Sequence, residues 1–170
     1  MQMLETERLI LRTFSEDDAP FYMELVNDPA WIRFIGQRNL HNLTDTRVAI
    51  VKGPIAMFVL HGFCLFVAER KRDGIATGIC GLIKRDQLDD VDLGFAFLPA
   101  FRGRGYALEA ASATMDYAKN TVGLKRIVGL TNPDNLSSIK LLEKMGFVFE
   151  KLISLGVEKI DTKLFAYEFA

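Results

Sequence analysis

At 170 residues, 49% of them apolar and 25% charged, the chain has the size and composition of a single globular domain with a substantial core. A formal net charge of −1 argues against a general affinity for nucleic acid. The longest apolar run, Pro54 to Ala68, is broken by His61 and Gly62 and falls short of the ~20 residues of a membrane helix; Met1 to Thr13, charged at Glu5, Glu7, Arg8 and Arg12, does not read as a signal peptide, and none is expected.

Glu5 to Phe14 mixes β-formers with charges and predicts a first strand. Ser15, followed by three acids, predicts a capped helix whose apolar face is Phe21, Leu25 and Tyr22 and which stops near Asn27-Asp28-Pro29. Trp31, Ile32, Phe34 and Ile35 suit a core, or the wall of a substrate pocket. Thr44 or Asp45 caps a second helix running to Lys52. Pro54 to Ala68 reads as a buried helix end and then a strand. Turn signals at Asp73-Gly74 and Asp89-Asp90 divide the middle of the chain into an antiparallel meander over 63–71, 76–86 and 90–98. Cys64 and Cys80 sit in apolar, strand-like runs. Two cysteines and two histidines without metal spacing imply buried, reduced thiols in a cytoplasmic protein.

Asp92 to Ala110 is the most informative stretch: an apolar strand, Pro99, a turn with Gly103 and Gly105, then a helix. The glycines permit backbone angles that gather several N–H groups into one hollow, and the helix N-terminus beside it adds partial positive charge. Such a turn holds a phosphate or pyrophosphate, or is simply a tight connection that binds nothing. The dinucleotide fingerprint fails, because Leu108 stands where a third Gly or Ala belongs and Lys125 where an acid belongs; no P-loop run exists. Tyr106 to Thr121 continues as a helix. Arg126 to Thr131 comes after a crossover and should lie parallel to 90–98. Asn135 predicts an N-cap, Ile139 and Leu142 an apolar helix face, and Gly146 the helix end. Val148 to Leu155 and Leu164 to Phe169 close the sheet.

Arg102-x-x-Gly105-x-Ala107 after a strand and a proline, and Asn135-x-x-Ser138 before a helix ending Glu-Lys-Met-Gly-Phe, resemble the two signatures of the GNAT N-acetyltransferases. Thr6-Glu7-Arg8-Leu9-Ile10-Leu11-Arg12 and Asn27-Asp28-Pro29 resemble the branch of that family containing the ribosomal-protein N-terminal acetyltransferases (RimJ/RimL-like). The resemblance implies one α/β domain over 1–170, with a mixed, mostly antiparallel sheet of six to seven strands and about four helices. It implies acetyl-CoA as co-substrate and no metal. The cofactor would run along Phe95, Ala96, Phe97 and Leu98. Its pyrophosphate would sit on the backbone of Arg102, Gly103, Arg104, Gly105, Tyr106 and Ala107, and Asn135 with Ser138 would contact its pantetheine arm.

The implied reaction is direct acetyl transfer to a primary amine, either a protein N-terminus or a small-molecule amine. Asp92, two residues before Gly94, is the expected catalytic base; its other reading is a solvated strand-end acid. A backbone N–H near Phe97 or Leu98 is expected to hold the thioester oxygen. Glu109 reads as structural. Leu142 stands where many members carry a Tyr that protonates the leaving thiolate, so water, Ser137 or Ser138 is left as substitute. That departure keeps open a second class, a CoA-binding regulatory module with reduced turnover. No nucleic-acid or membrane partner is expected, and the chain is expected to be a monomer or a homodimer.

Overall fold

The computed structural model describes residues 1–156 and 159–170. The expected first strand is a hairpin. β1 (Gln2–Glu5) and β2 (Leu9–Arg12) pair antiparallel, because Thr6 turns the chain: its N–H donates to the Leu9 carbonyl at 2.9 Å and its hydroxyl oxygen accepts from the Leu9 N–H at 3.0 Å. Ser15 and Asp18 form a capping box over a 3-10 turn, Glu16–Asp18, that leads into α1 (Ala19–Val26). Tyr22 and Leu25 face the core, and Phe21 is only partly covered. Asp28 caps α2 (Pro29–Phe34) by accepting from the Ala30 N–H at 3.2 Å.

The next helix departs from expectation at both ends. Its cap is Asn42, whose side chain accepts from the Asp45 N–H at 2.8 Å, in place of Thr44 or Asp45. Nor does it stop at Lys52. α3 (Leu43–Ile50) passes through a wider π turn, Val51–Ile55, into α4 (Ala56–His61). Pro54 lies inside that turn and has no N–H for the regular ladder. The expected buried helix end is also mostly outside: Met57 and Phe58 pack inward, whereas Val59 and Leu60 are 81% and 76% exposed.

β3 (Leu65–Arg70), β4 (Ile75–Ile83) and β5 (Asp92–Phe97) form the expected meander. α5 (Tyr106–Tyr117) crosses over to β6 (Arg126–Thr131), which lies parallel to β5. α6 (Leu136–Lys144), β7 (Val148–Leu155) and β8 (Ile160–Glu168) complete the chain. The sheet has eight strands in the order β1-β2-β3-β4-β5-β6-β8-β7, all pairs antiparallel except β5–β6. The N-terminal hairpin accounts for the strand beyond the expected six to seven.

One face of the sheet packs Phe66, Cys80, Leu82 and Leu93 against α5, where Ala110 and Ala111 let the helix lie close. The other packs Val67, Ile79 and Leu98 under α1 and α2, against Tyr22, Leu25 and Trp31. α6 sits on β6 through Leu142, whose Cδ2 lies 2.7 Å from where a Cβ on Gly129 would be. A side chain at Gly129 would force Leu142 to shift.

Candidate active site

β5 and β6 pair only at Asp92↔Val128 and Leu93↔Gly129. Beyond Leu93 they part, β5 staying with β4 through Phe97 while β6 runs with β8. The hydrogen-bond parity shows which groups this frees. Val128 N–H donates to the Val91 carbonyl at 3.0 Å, so odd residues of β5 point toward β6; Leu98 N–H donates to the Thr77 carbonyl at 2.9 Å, so even residues point toward β4. The N–H and carbonyl of Phe95 and the N–H of Phe97 therefore open onto the gap, the Phe97 carbonyl being taken by Arg102. Leu98, expected as an alternative thioester donor, is corrected: its N–H is already engaged.

Past β5, a 3-10 turn (Pro99–Phe101) delivers the chain to Gly103 and Gly105, and Gly105 is the N-cap of α5 with φ +83°. A side chain at Gly105 would be strained in that conformation and would bring its Cβ within 3.3 Å of the Arg8 guanidinium. Among the described residues, no protein acceptor meets the N–H groups of Gly103 through Leu108; the first to find one is Glu109, bonded to the Gly105 carbonyl at 3.1 Å. Successive free N–H groups at a helix start form a cradle able to hold an anion.

A cavity of about 430 Å³ fills the gap. Phe95, Ala96, Phe97, Arg102, Gly103, Gly105, Tyr106, Ala107, Asn135 and Ser138 all line it, so the two sequence signatures meet in one place. Ser137 lines it too, with Leu25, Trp31, Phe34 and Ile35 from the α1–α2 side. Arg104 lies outside the lining, and its carbonyl accepts from Arg8 at 2.9 Å. Leu142 is also outside, in the core against Gly129.

Asp92 is a second correction. It is 1% exposed, does not line the cavity, and is held by Arg85 with Nε 2.9 Å from Oδ1. Burial raises its carboxyl above the usual value, outweighing the Arg85 pairing that lowers it. It is not the solvated acid of the second reading, and it stands behind the cavity wall instead of on it. Covering it required β4, β5 and β6 to close around the β5 start, where Asp92 pairs with Ile83 and Val128.

Two acids around the turn, Asp28 and Glu109, do more than their sequence positions suggest. Asp28, read as a helix stop, accepts from Arg102 Nη2 at 2.6 Å while Arg102 Nε donates to the Phe97 carbonyl at 2.9 Å. One guanidinium thus ties α2, the end of β5 and the start of the glycine turn together. Glu109, read as structural, accepts from the Thr6 hydroxyl at 2.6 Å, the Arg8 N–H at 2.7 Å and Arg8 Nε at 2.8 Å, pinning the β1–β2 turn onto α5. Burial pushes its carboxyl up, but the bonds from Thr6 and Arg8 prevail and hold it below the usual value. The one sequence signal for Thr6, Arg8 and Asp28 is their place in the two branch-like segments.

Both cysteines are buried and free, with burial pushing each thiol up to about 12. Among the described residues, no cluster of His, Cys, Asp and Glu could hold a metal, and no helix is long and apolar enough to cross a membrane.

The acetyltransferase (GNAT) domain family matches residues 8–148. Among curated proteins, YkkB of Bacillus subtilis (strain 168) is 30% identical over 158 residues, covering 88% of this chain and 87% of YkkB. Among solved structures, an acetyltransferase from Agrobacterium tumefaciens str. C58 aligns with a TM-score of 0.84 at 25% identity, covering 99% of this chain and 95% of that one. RimL, a ribosomal L7/L12 alpha-N-protein acetyltransferase solved with coenzyme A, shares the fold with a TM-score of 0.81 at 18% identity, covering 99% of this chain and 98% of RimL.

Proposed function

The chain belongs to the GNAT acetyltransferase family, and from that premise we propose that it moves the acetyl group of acetyl-CoA onto a primary amine, by direct attack in a ternary complex on a single domain spanning 1–170. The observation that carries this is the cavity between the parted strands β5 and β6, with a cradle of free N–H groups on its wall. Acetyl-CoA supplies an activated thioester carbonyl. The N–H groups from Gly103 to Leu108 hold the pyrophosphate, and Asn135 and Ser138 orient the pantetheine arm. The Phe97 N–H, open to the gap, donates to the thioester oxygen.

The amine nitrogen bonds to the acetyl carbon, the C–S bond breaks with its electron pair going to sulfur, and the amine loses one proton. That amine must be neutral to attack. An α-amine with pKa about 7.7–8.0 meets the condition near neutral pH far more often than a lysine at ~10.4. Among the described residues no carboxylate lines the cavity, so the proton leaves through water. A thiolate of pKa ~8.5 departs without a strong acid, and the hydroxyls of Ser137 and Ser138 on the wall are available to the sulfur. The acceptor is a protein N-terminus or a small-molecule amine; RimL's action on a ribosomal protein's α-amine supports the first. The proposed setting is the cytoplasm, where buried free thiols stay reduced. The assembly is a monomer or a homodimer, whose pairing surface would be the open face of edge strand β7, with Val148, Phe149 and Leu152 exposed.

The test is release of CoA from acetyl-CoA across a panel of amines, with product identified by mass spectrometry. Acetylated amine is the expected result. Tight CoA binding with no acetylated product across the panel would sink the enzyme and leave an acyl-CoA-binding module.

A further inference from the structure

One wall of the cavity comes from α1 and α2 and is apolar: Leu25, Ala30, Trp31, Phe34 and Ile35. Three observations bear on the ligand that lies against it. First, among the described residues no carboxylate lines the cavity, and Asp28 at the start of α2 is already bonded to Arg102. Second, cations stand beside this wall, the Arg33 guanidinium 4.7 Å from the Phe34 ring centre and that of Arg38 5.7 Å from the Trp31 ring centre. Third, the Trp31 Nε1–H is buried with no hydrogen-bond acceptor among the described residues. An unsatisfied buried donor is rare in a folded protein, and this one belongs to a residue that lines the cavity.

We propose that the acceptor is a primary amine carried on an uncharged apolar body of about aromatic size, with a carbonyl that the Trp31 indole N–H satisfies, and that polycationic amines are rejected. The inference rests on the acetyl-transfer reading and narrows its acceptor. An apolar body gains by leaving water against Trp31, Phe34 and Ile35. A second ammonium group would be stripped of water where no carboxylate is free to pair with it and where Arg33 and Arg38 repel it.

Trp31 is the one tryptophan in the chain, so its fluorescence reports binding at this wall directly. The experiment titrates the protein, with CoA bound so that no acetyl group can move, against phenylalaninamide, 2-phenylethylamine and spermidine. Phenylalaninamide should perturb the emission at concentrations about tenfold below spermidine, and 2-phenylethylamine, lacking the carbonyl, should bind roughly three- to tenfold more weakly than the amide. Spermidine acting at or below the phenylalaninamide concentration overturns the proposal. A Phe-Gly-Gly peptide that matches the amide brings polypeptide N-termini into the class; a peptide that fails where the amide binds confines the class to small amines.

Trp31→Phe keeps a ring and removes the donor. It should raise KM for phenylalaninamide by about that factor more than it raises KM for 2-phenylethylamine, which loses only packing against the smaller ring; an equal rise for both overturns the indole's part. Selective fluorescence binding without acetylation sinks the acetyl-transfer reading and keeps this one. Preferred acetylation of spermidine does the reverse.

Discussion

At the scale of single residues, Asp92 and Gly105 carry opposite expectations. Asp92 is a buried acid whose carboxyl is raised by burial against the pull of Arg85. A folded-state value above the ordinary 3.8 means that the folded protein binds the proton more tightly than the unfolded one, so stability falls as the pH climbs from 3.8 toward the raised value. Asp92→Asn cannot ionise and should lack that fall, which melting temperatures across pH 3–8 would reveal as a flatter profile. Because Asp92 is outside the cavity, the pH profile of kcat/KM should superimpose on the wild type's; a lowered rate with a lost or shifted acid-side limb would return Asp92 to catalysis. Gly105→Val places a β-branched side chain at φ +83°, at a cost of about 1–2 kcal/mol, and crowds both Arg8 and the N–H cradle. CoA affinity by calorimetry should drop about tenfold or more in a protein that still folds by circular dichroism. Unchanged affinity would move the pyrophosphate elsewhere.

Among the elements, α5 and α6 each bring one end of the site, and each is held by a bond that can be removed singly. Glu109 fixes α5 to the β1–β2 turn through Thr6 and Arg8. Its carboxyl lies below the ordinary 4.5, so the contribution is complete above pH 4.5 and is lost as the pH falls through the lowered value. Glu109→Gln should therefore cost on the order of 1.5–3 kcal/mol at pH 7, with its melting curve converging on the wild type's in acid. Parallel curves at every pH would mean that the charge contributes nothing. α6 starts at Asn135, whose side chain accepts from the Ser138 N–H at 3.3 Å and also lines the cavity. Asn135→Ala should lower stability by about 0.5–2 kcal/mol as a lost cap and, in addition, raise the KM for acetyl-CoA. A melting shift with unaltered KM would leave Asn135 as a cap alone.

For the whole molecule, the consequential feature is that the sheet is weakest where the cofactor is expected. The β5–α5 side and the β6–α6 side share two paired positions across β5–β6, and an acetyl-CoA molecule touching both sides would bridge them. Binding to the folded state alone stabilises by about 2.7 kcal/mol at a hundredfold excess over Kd, and a domain of this size gains roughly 2–4 °C per kcal/mol. Saturating CoA should thus raise the melting temperature by about 5–11 °C, measured by scanning fluorimetry at fixed protein concentration. A shift under one degree would contradict a bridging ligand.

The sequence by itself determined those features that a few neighbouring residues settle among themselves. Ser15 and Asn135 are caps because their side chains reach N–H groups two or three positions on, and Gly105 turns left-handed because a Cβ there is strained in any context. Period-two runs and turn signals marked the meander and the parallel crossover, and Gly103 and Gly105 before a helix marked the turn whose N–H groups stay free. The tertiary structure decided the rest. Asp28 meets Arg102 across 74 positions and Arg8 meets Glu109 across 101, and no local preference encodes such partners. The same holds for Asp92. An acid at a strand end is solvated or buried according to which distant strands close over it, and β4 and β6 close over this one. The parting of β5 from β6 is likewise non-local. β6 leaves β5 to run its whole length with β8, a strand contributed by the far end of the chain, and no local preference encodes such a pairing.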